Sequence, residues 1–363
     1  MLKIGLVGLP NVGKSTLFNA LSKQQVPAEN YPFCTVEPNI SIIEYKDFRL
    51  DKVSKLYNSA KKVNPTIQFV DIAGLVKGAS NGEGLGNQFL DHISKVDAIA
   101  HVLRSFEDDN ITHVSGKVDP IFDAEIIDFE LIQKDLSTVQ KRYEKTFKLA
   151  RAGDKEARKE IEILEQIKGH LENTKPIRNF KKNERDEETQ KIIDELFLLS
   201  EKPIIYVANI DDSENSKQLS KKIKEYSEEM ESDYIEIPSK IISDINQMDE
   251  DDKEIFMEEF GIKNDILDDF ILECKKLLKQ ITFITANENE SKSWNINEGT
   301  TIYEAAGKIH TDIQKGFIKA EIINYQNLKE LENLKIAKEK GIISIHGKEY
   351  ILQEGDVIYI HFH

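Results

Sequence analysis

Cysteine is nearly missing from this chain: 363 residues hold two, Cys34 and Cys274. That excludes a disulfide framework, and the pair lacks the spacing of a cysteine-built metal centre. No apolar run approaches the roughly 20 residues that span a bilayer, and no charged-then-apolar leader precedes the first apolar run at Leu2. The chain is therefore expected to be cytoplasmic, with no membrane contact. Basic residues are in deficit. With 49 Lys and Arg against 65 Asp and Glu, the net charge is −16. That balance excludes a protein that coats nucleic acid non-specifically, DNA included, because phosphate contacts need cations in excess; local basic patches can still meet RNA. The length itself leaves room for two or three domains, each with its own core.

Against those absences stands one contiguous pattern. Gly8-Leu9-Pro10-Asn11-Val12-Gly13-Lys14-Ser15 matches the phosphate-binding loop G-x-x-x-x-G-K-[ST], between the apolar run Leu2–Val7 and the helix-forming Thr16–Leu21. A strand before and a helix after make the pattern a nucleoside triphosphate site. Its glycines let backbone N–H groups turn inward, so Asn11, Val12, Gly13, Lys14, Ser15 and Thr16 are expected to surround the phosphates. Lys14 is expected to neutralise the β and γ oxygens in binding and catalysis, and the Ser15 hydroxyl to ligate Mg²⁺. Downstream, Asn30–Asn39 has a loop composition, and Thr35 within it is a further Mg²⁺ ligand that engages only while a γ-phosphate is present. The strand-like run from Thr66 ends in Asp71-Ile72-Ala73-Gly74. Asp71 suits Mg²⁺ held through water, and the Gly74 N–H suits the γ-phosphate. Four glycines within residues 78–86 predict a segment that stays mobile until something orders it, a second switch.

The phosphate loop, residues 30–39 and the stretch from Asp71 to Ile93 together resemble the Obg-type class of P-loop GTPases. The run Phe106-Glu107-Asp108-Asp109 with His113–Pro120 is similar to one branch of it, the Obg-like ATPases called YchF. Two departures from the usual GTPase plan bear on mechanism. Leu75 follows Gly74 where Ras-like enzymes carry a water-orienting glutamine, and leucine cannot orient water. His113 is the candidate replacement, because its polar loop follows the strand Ala98–Leu103 on the carboxyl side where ligands bind; general-base and water-positioning roles are equally open. In Obg-type proteins an asparagine at the position of Asn11 goes with a bound K⁺, so the resemblance implies stimulation by monovalent cations. The second departure concerns the base. Asn209-Ile210-Asp211-Asp212 occupies the slot of the guanine-reading N-K-x-D, with Ile210 in place of lysine. Asp212 can still accept from the guanine N1–H and N2 amine, for which adenine has no counterpart. The resemblance implies adenine tolerance, yet YchF-like proteins carry N-x-x-E there, so the expectation is ATP over GTP with GTP in play. Tyr234–Lys240 resembles the last strand and base-contacting loop, which adds Ser239 to the expected nucleotide residues.

Between the strands near Leu103 and Ile205 lies a charged segment with apolar residues at helical spacing: Ile126, Phe129, Ile132, Leu136 and Val139, then Ile161, Leu164, Ile167 and Leu171. Two antiparallel helices follow, turning at Ala152-Gly153-Asp154 and broken at Asn173-Thr174-Lys175-Pro176, with one more helix from Glu187 to Leu199. Lys141 to Arg185 is locally basic and Asp211 to Glu273 acidic, which fits either a partner surface or a solvated helical face. From Ile281 strands are expected at Ile281–Thr285, Trp294–Ile296, Phe317–Ile323, Lys348–Leu352 and Asp356–Ile360, with a helix at Ile302–Ile309. This β-grasp-like unit resembles the TGS domain, notably in Ala305–Asp312 and Gly316–Glu321. The expected architecture is thus α/β: a P-loop NTPase domain at 1–124 and 201–280, a helical coiled-coil insertion at 125–200, and a TGS domain at 281–363. The function that follows is a slow, Mg²⁺-dependent nucleoside triphosphatase acting as a timer on the ribosome through ribosomal RNA. The alternative is a nucleotide-gated RNA- or protein-binding module whose hydrolysis is incidental.

Overall fold

The computed structural model describes residues 2–22, 39–73, 84–108, 117–182, 184–245, 247–249, 252 and 266–363. In chain order the first half forms β1 (Lys3–Val7), α1 (Lys14–Ser22), β2 (Ile40–Glu44), α2 (Arg49–Tyr57), β3 (Lys61–Val63), β4 (Thr66–Asp71), α3 (Gly84–Ser94) and β5 (Ala98–Ser105). The insertion and second half give α4 (Pro120–Arg151), α5 (Lys155–Glu172), α6 (Glu187–Leu196), β6 (Ile204–Ile210), α7 (Glu214–Glu229), β7 (Asp233–Ile237) and α8 (Ser239–Ile245). The C-terminal part adds α9 (Ile266–Leu277), β8 (Gln280–Ala286), β9 (Glu290–Asn297), α10 (Ile302–Ile309), α11 (Thr311–Lys315), β10 (Phe317–Asn324), α12 (Tyr325–Leu328), α13 (Leu334–Glu339), β11 (Ser344–His346) and β12 (Asp356–Phe362). Among the described residues no helix is long and apolar enough to cross a membrane.

The chain divides into two units, residues 2–41 with 68–266 and residues 42–67 with 267–363. The first is built on a six-stranded sheet in the order β2-β4-β1-β5-β6-β7, with β1 parallel to both β4 and β5, β5 to β6 and β6 to β7. Central strands covered on both faces need apolar residues throughout rather than in alternation, and every residue of β5 is buried accordingly. The strand order reverses direction between β1 and β5. In such sheets ligands bind at that crevice, beyond the carboxyl ends of the strands.

The insertion is a helical hairpin. Asp119 accepts the Phe122 N–H at 3.2 Å and Pro120 takes the first helical position, so α4 starts at Pro120, five residues before the expected boundary. Its 32 residues span about 48 Å. Val139, Leu164, Ile167 and Leu171 pack with Ile177, Phe180 and Ile193 in the hairpin's core. The apolar stripe expected through Ile126 and Phe129 does not face inward: Phe129 is 47% exposed, while Ile127 and Leu131 are buried. The reason is that the buried face of α4 also carries carboxylates, which break the hydrophobic period. Asp128 accepts two hydrogen bonds from Arg178, at 2.6 and 2.7 Å, and one from the Tyr206 hydroxyl at 3.5 Å, and Asp135 accepts the Leu199 and Ser200 N–H groups at 2.8 Å each.

The second unit is a mixed sheet in the order β11-β10-β12-β8-β9-β3. β8 and β9 are antiparallel, β12 runs parallel to β8, and β10 is antiparallel to β12 and β11. One face holds α10, started by the reciprocal Thr301–Glu304 capping box, with its Ile302 and Ala306 over Phe283, Ile296 and Ile358. The other holds Leu50 and Val53 of α2 against Ile284, Ile323 and Val357. Two expectations change here. The β-rich C-terminal domain is present, but it does not begin at 281, because β3 pairs in parallel with β9 and α2 lies in its core. Nor is Lys348–Leu352 a strand; Ile351 makes a single bridge to Thr301, and Ser344–His346 takes the place beside β10.

Candidate nucleotide site

The loop from β1 to α1 depends on two left-handed backbone positions, Asn11 at φ 65° and Gly13 at φ 91°. A side chain at Gly13 would also overlap the Asn209 carboxamide, so glycine is required there twice over. At Gly8 a Cβ would lie 2.6 Å from the Val102 carbonyl oxygen, and its absence lets the end of β1 approach β5. The Leu17 N–H closes on the Gly13 carbonyl at 3.0 Å, and the preceding amides at the start of α1 remain directed at whatever binds in front of the helix.

Lys14 is almost wholly buried, and its ammonium is paired with the Asp71 carboxylate at the end of β4. The Ser15 hydroxyl lies 3.5 Å from the other Asp71 oxygen. Three groups expected from sequence to act on phosphate and Mg²⁺ thus meet at one point. Lys14 and Ser15 line a cavity of about 820 Å³, whose floor is Leu9–Asn11 and Gly13–Thr16. Phe106, Glu107 and Asp108 form one wall, and Ile210, Asp211 and Asp212 with Lys240, Ile241 and Asp244 form the other. A volume of this size suits a nucleotide-sized ligand.

Asn209 does not offer a free amide to that cavity. Its Nδ2–H donates to the Val12 carbonyl at 2.9 Å and its Oδ1 accepts the Ser239 N–H at 3.2 Å, so it ties the phosphate loop to the loop after β7. Asp211 is likewise engaged, accepting the Ser213 N–H at 2.9 Å and the Ser213 hydroxyl at 2.6 Å in the turn into α7. Ile210 and Asp212 are left beside each other on the cavity wall. Val12 and Ser239 are buried behind it, and the Ser239 hydroxyl has no hydrogen-bond partner among the described residues. Thr35, Gly74 and His113 lie outside the described residues, as do Cys34, Leu75 and residues 78–83.

Arg104 is a shaping residue that sequence reasoning missed. Buried at the end of β5, it donates from Nε to the Phe106 carbonyl at 3.0 Å and stands 4.6 Å from the centre of the Phe106 ring. It therefore folds the 106–108 segment into the cavity wall. Its burial lowers the guanidinium pKa, opposed by the Asp108 charge. The available signal was a cation in an otherwise apolar strand. Asp244 gave none, because only the approach of α8 to α1 brings it to the cavity, whereas Lys240 closes the run read as the base-contacting loop.

Comparison with known proteins extends over the whole chain. The 50S ribosome-binding GTPase family matches residues 3–146, and the YchF-GTPase C-terminal family, described as a protein of unknown function, matches residues 280–363. The ribosome-binding ATPase YchF of Bacillus subtilis (strain 168) is 47% identical over 99% of both chains, and that of Escherichia coli O157:H7 is 42% identical over 98% of both. Obg-like ATPase 1 of Caenorhabditis elegans is 41% identical over 99% of this chain and 92% of its own. The solved structure of the Schizosaccharomyces pombe YchF GTPase has a TM-score of 0.87 at 34% identity, covering 99% of this chain and 97% of that one. With the phosphate loop at the head of a matching fold and the similarity running through both units, the chain is a P-loop NTPase and belongs to the YchF family of Obg-like ATPases.

Proposed function

We propose that this chain hydrolyses ATP in preference to GTP, with Mg²⁺, and that its nucleotide cycle times a conformational change on the ribosome. The observation that supports hydrolysis is the convergence of Asp71 on Lys14 and Ser15, which line the cavity. Ser15 and Asp71 are hard oxygen donors, and among the described residues no cluster of three His, Cys, Asp or Glu side chains competes with them. Ser15, Asp71 through water, and Thr35 would hold Mg²⁺, which would neutralise phosphate charge there. Lys14 exchanges its Asp71 partner for the β and γ oxygens, and the amides from Asn11 to Thr16, together with that of Gly74, hold the same oxygens in fixed positions. Water attacks the γ-phosphorus and the bond to the β-phosphate oxygen breaks; His113 either accepts the proton lost by water or orients the water, whose proton then passes to an oxygen of the phosphate formed, since Leu75 has no polar group to offer. K⁺ near Asn11 is the further cation in this reading.

ATP is favoured because Ile210 removes the lysine of the guanine-reading pattern. Asp212 supports a second reading as a GTP-preferring switch, since it can accept both guanine donors. The ribosome enters from the names of the relatives in Bacillus subtilis and Escherichia coli, and a cytoplasmic location goes with it. Direct titration with ATP and GTP, followed by steady-state turnover with and without ribosomes, tests the proposal. Ribosome-stimulated ATP turnover supports the timer; unchanged turnover favours a binding module whose nucleotide state alone regulates its partner. Lys14→Ala should abolish most affinity or turnover with the fold intact, and near-normal ATPase activity would remove the site assignment.

A further inference from the structure

The helical hairpin carries a row of side chains that neither the nucleotide site nor the hairpin core requires. Tyr143, Phe147 and Arg151 recur every four residues on α4 and so stand one above another toward the turn. The Tyr143 and Phe147 rings stack with centroids 5.8 Å apart and planes 18° apart. The Arg151 guanidinium lies 5.2 Å from the Phe147 centroid, and the Lys168 ammonium of α5 lies 5.8 Å from that of Tyr143. Tyr143 is anchored by its hydroxyl, which donates to Glu165 at 3.0 Å. Phe147, by contrast, is 40% exposed, and Arg151 is exposed beyond it. An arginine resting on an aromatic ring has lost part of its rotamer freedom in advance, and its plane offers both a stacking surface and a fan of donors.

Charge around this row is strongly biased. Residues 141–159 hold eight Lys and Arg against three Asp and Glu, a local +5 in a chain of −16. Arg142 is neutralised by Glu160 and Glu195, and Lys159 lies 3.8 Å from Glu156. Lys141, Lys145, Lys148, Arg151, Lys155 and Arg158 are exposed, and none has an ion-pair partner among the described residues. Lys141, Lys145 and Lys148 follow at helical spacing on the face next to the aromatic row, over about 10 Å of helix.

The geometry points to the hairpin tip as a contact for single-stranded RNA, with an unpaired base stacked on Arg151 and the adjoining phosphates along Lys141, Lys145 and Lys148. This rests on the ribosome reading and names the contact within it. An acidic protein surface would use the lysines but has no need of a flat guanidinium held on a ring. An RNA duplex keeps its bases stacked inside, whereas a loop or bulge can present one.

The test uses the full-length protein and fluorescence anisotropy with a labelled, unstructured RNA of about a dozen nucleotides, beside a duplex of the same sequence. Single strand should bind tighter than duplex. Arg151→Lys keeps the charge and loses the plane; it should weaken binding about tenfold with the salt dependence unchanged. Phe147→Leu, which keeps the apolar packing, should follow it. Reversing Lys141, Lys145 and Lys148 to Glu should flatten the log–log salt slope by about 2, and basal ATPase activity should be unaltered in every variant. Wild-type affinity in Arg151→Lys, stronger binding to duplex, or no binding of the RNA by wild-type protein overturns the inference. Co-sedimentation with ribosomes separates this from the underlying reading. If wild-type and charge-reversed protein pellet alike, the ribosome stands and the hairpin contact falls. If the charge-reversed protein is lost from the pellet while wild type binds no RNA, the contact is with protein and the inference falls. If RNA binding depends on Arg151 while wild type never pellets, the RNA contact stands without the ribosome.

Discussion

At the residue scale, two side chains of the nucleotide-binding unit lead to measurements. Ile210 is beside Asp212 on the cavity wall, with Asn209 already committed to backbone. Ile210→Lys should therefore shift preference toward GTP by about tenfold or more, about 1.4 kcal/mol, read by titration with both nucleotides. An unchanged ratio would mean that Ile210 does not govern base choice. His101 is fully buried in β5, 5.8 Å from the Tyr206 ring, and neither ring nitrogen has a hydrogen-bond partner among the described residues. Burial pushes its pKa down to about 4, against the pull of the Asp128 charge. The unfolded chain takes that proton near 6.5 and the folded one only near 4, so this contribution to stability is complete above about pH 6.5 and declines by about 3 kcal/mol as pH falls to 4. Asp135 slopes the other way. Its burial raises the carboxyl to about 6 even with the Ser200 donors opposing, so its share is present at low pH and lost as pH rises through 4 to 6. Denaturation of His101→Phe and wild type at about pH 7 and pH 4.5 isolates the first effect. The variant should gain on wild type by about 2–3 kcal/mol on acidification, and a constant gap would contradict it. The phosphate loop was legible because its chemistry needs contiguous residues. Arg104 and Asp244 were not, because their positions at the cavity come from strand and helix approach.

Among the elements, the hairpin turn was legible and the buried face of α4 was not. Asp154 caps α5 by accepting the Glu156 and Ala157 N–H groups at 2.9 and 3.1 Å, next to Gly153 at φ 102°. A glycine followed by a helix-capping aspartate is a local signal, so it could be read from sequence. Asp154→Ala should cost about 1 kcal/mol in chemical denaturation, and a change near zero would show that the tip does not need its cap. The α4 face escaped because Asp123, Asp128, Glu130 and Asp135 are buried there among apolar neighbours, and hydrophobic periodicity has no term for a carboxylate that finds its donor elsewhere in the chain. Arg178 lies 50 residues from Asp128, and Ser200 lies 65 from Asp135. The C-terminal strands were mostly found, since they are short β-branched and aromatic runs bounded by turn residues. The 348–352 misreading shows the limit: a short apolar run can end in a single bridge.

For the whole molecule, the part of the architecture hidden from sequence is the recruitment of residues 42–67 into the C-terminal sheet. Arg49 carries this union. Its guanidinium pairs with Asp47 at 2.7 and 2.9 Å and with Glu354, and Asp47 also accepts the Ser293 hydroxyl at 2.8 Å. Burial alone would raise the Asp47 carboxyl, but the hydrogen bonds and charge of Arg49 hold it below the ordinary range. Arg49→Ala leaves that carboxylate buried without its cation and should destabilise by about 3–5 kcal/mol in chemical denaturation; a loss under about 1 kcal/mol would show the pair to be dispensable. A deletion beginning at Ile281 would likewise strip Leu50 and Val53 of the sheet they pack on, so point variants are the sounder probes of this module. Synthesis gives the same arrangement a temporal meaning. Arg49 emerges 305 residues ahead of Glu354, about 15–60 s at cellular elongation rates. For that interval residues 42–67 are a nascent segment with apolar side chains and an unfilled strand, waiting for a partner sheet translated more than two hundred residues later. The order of assembly thereby follows the order of translation, and the early segment completes its packing only once the strands that carry Ile284, Ile323 and Val357 have been made.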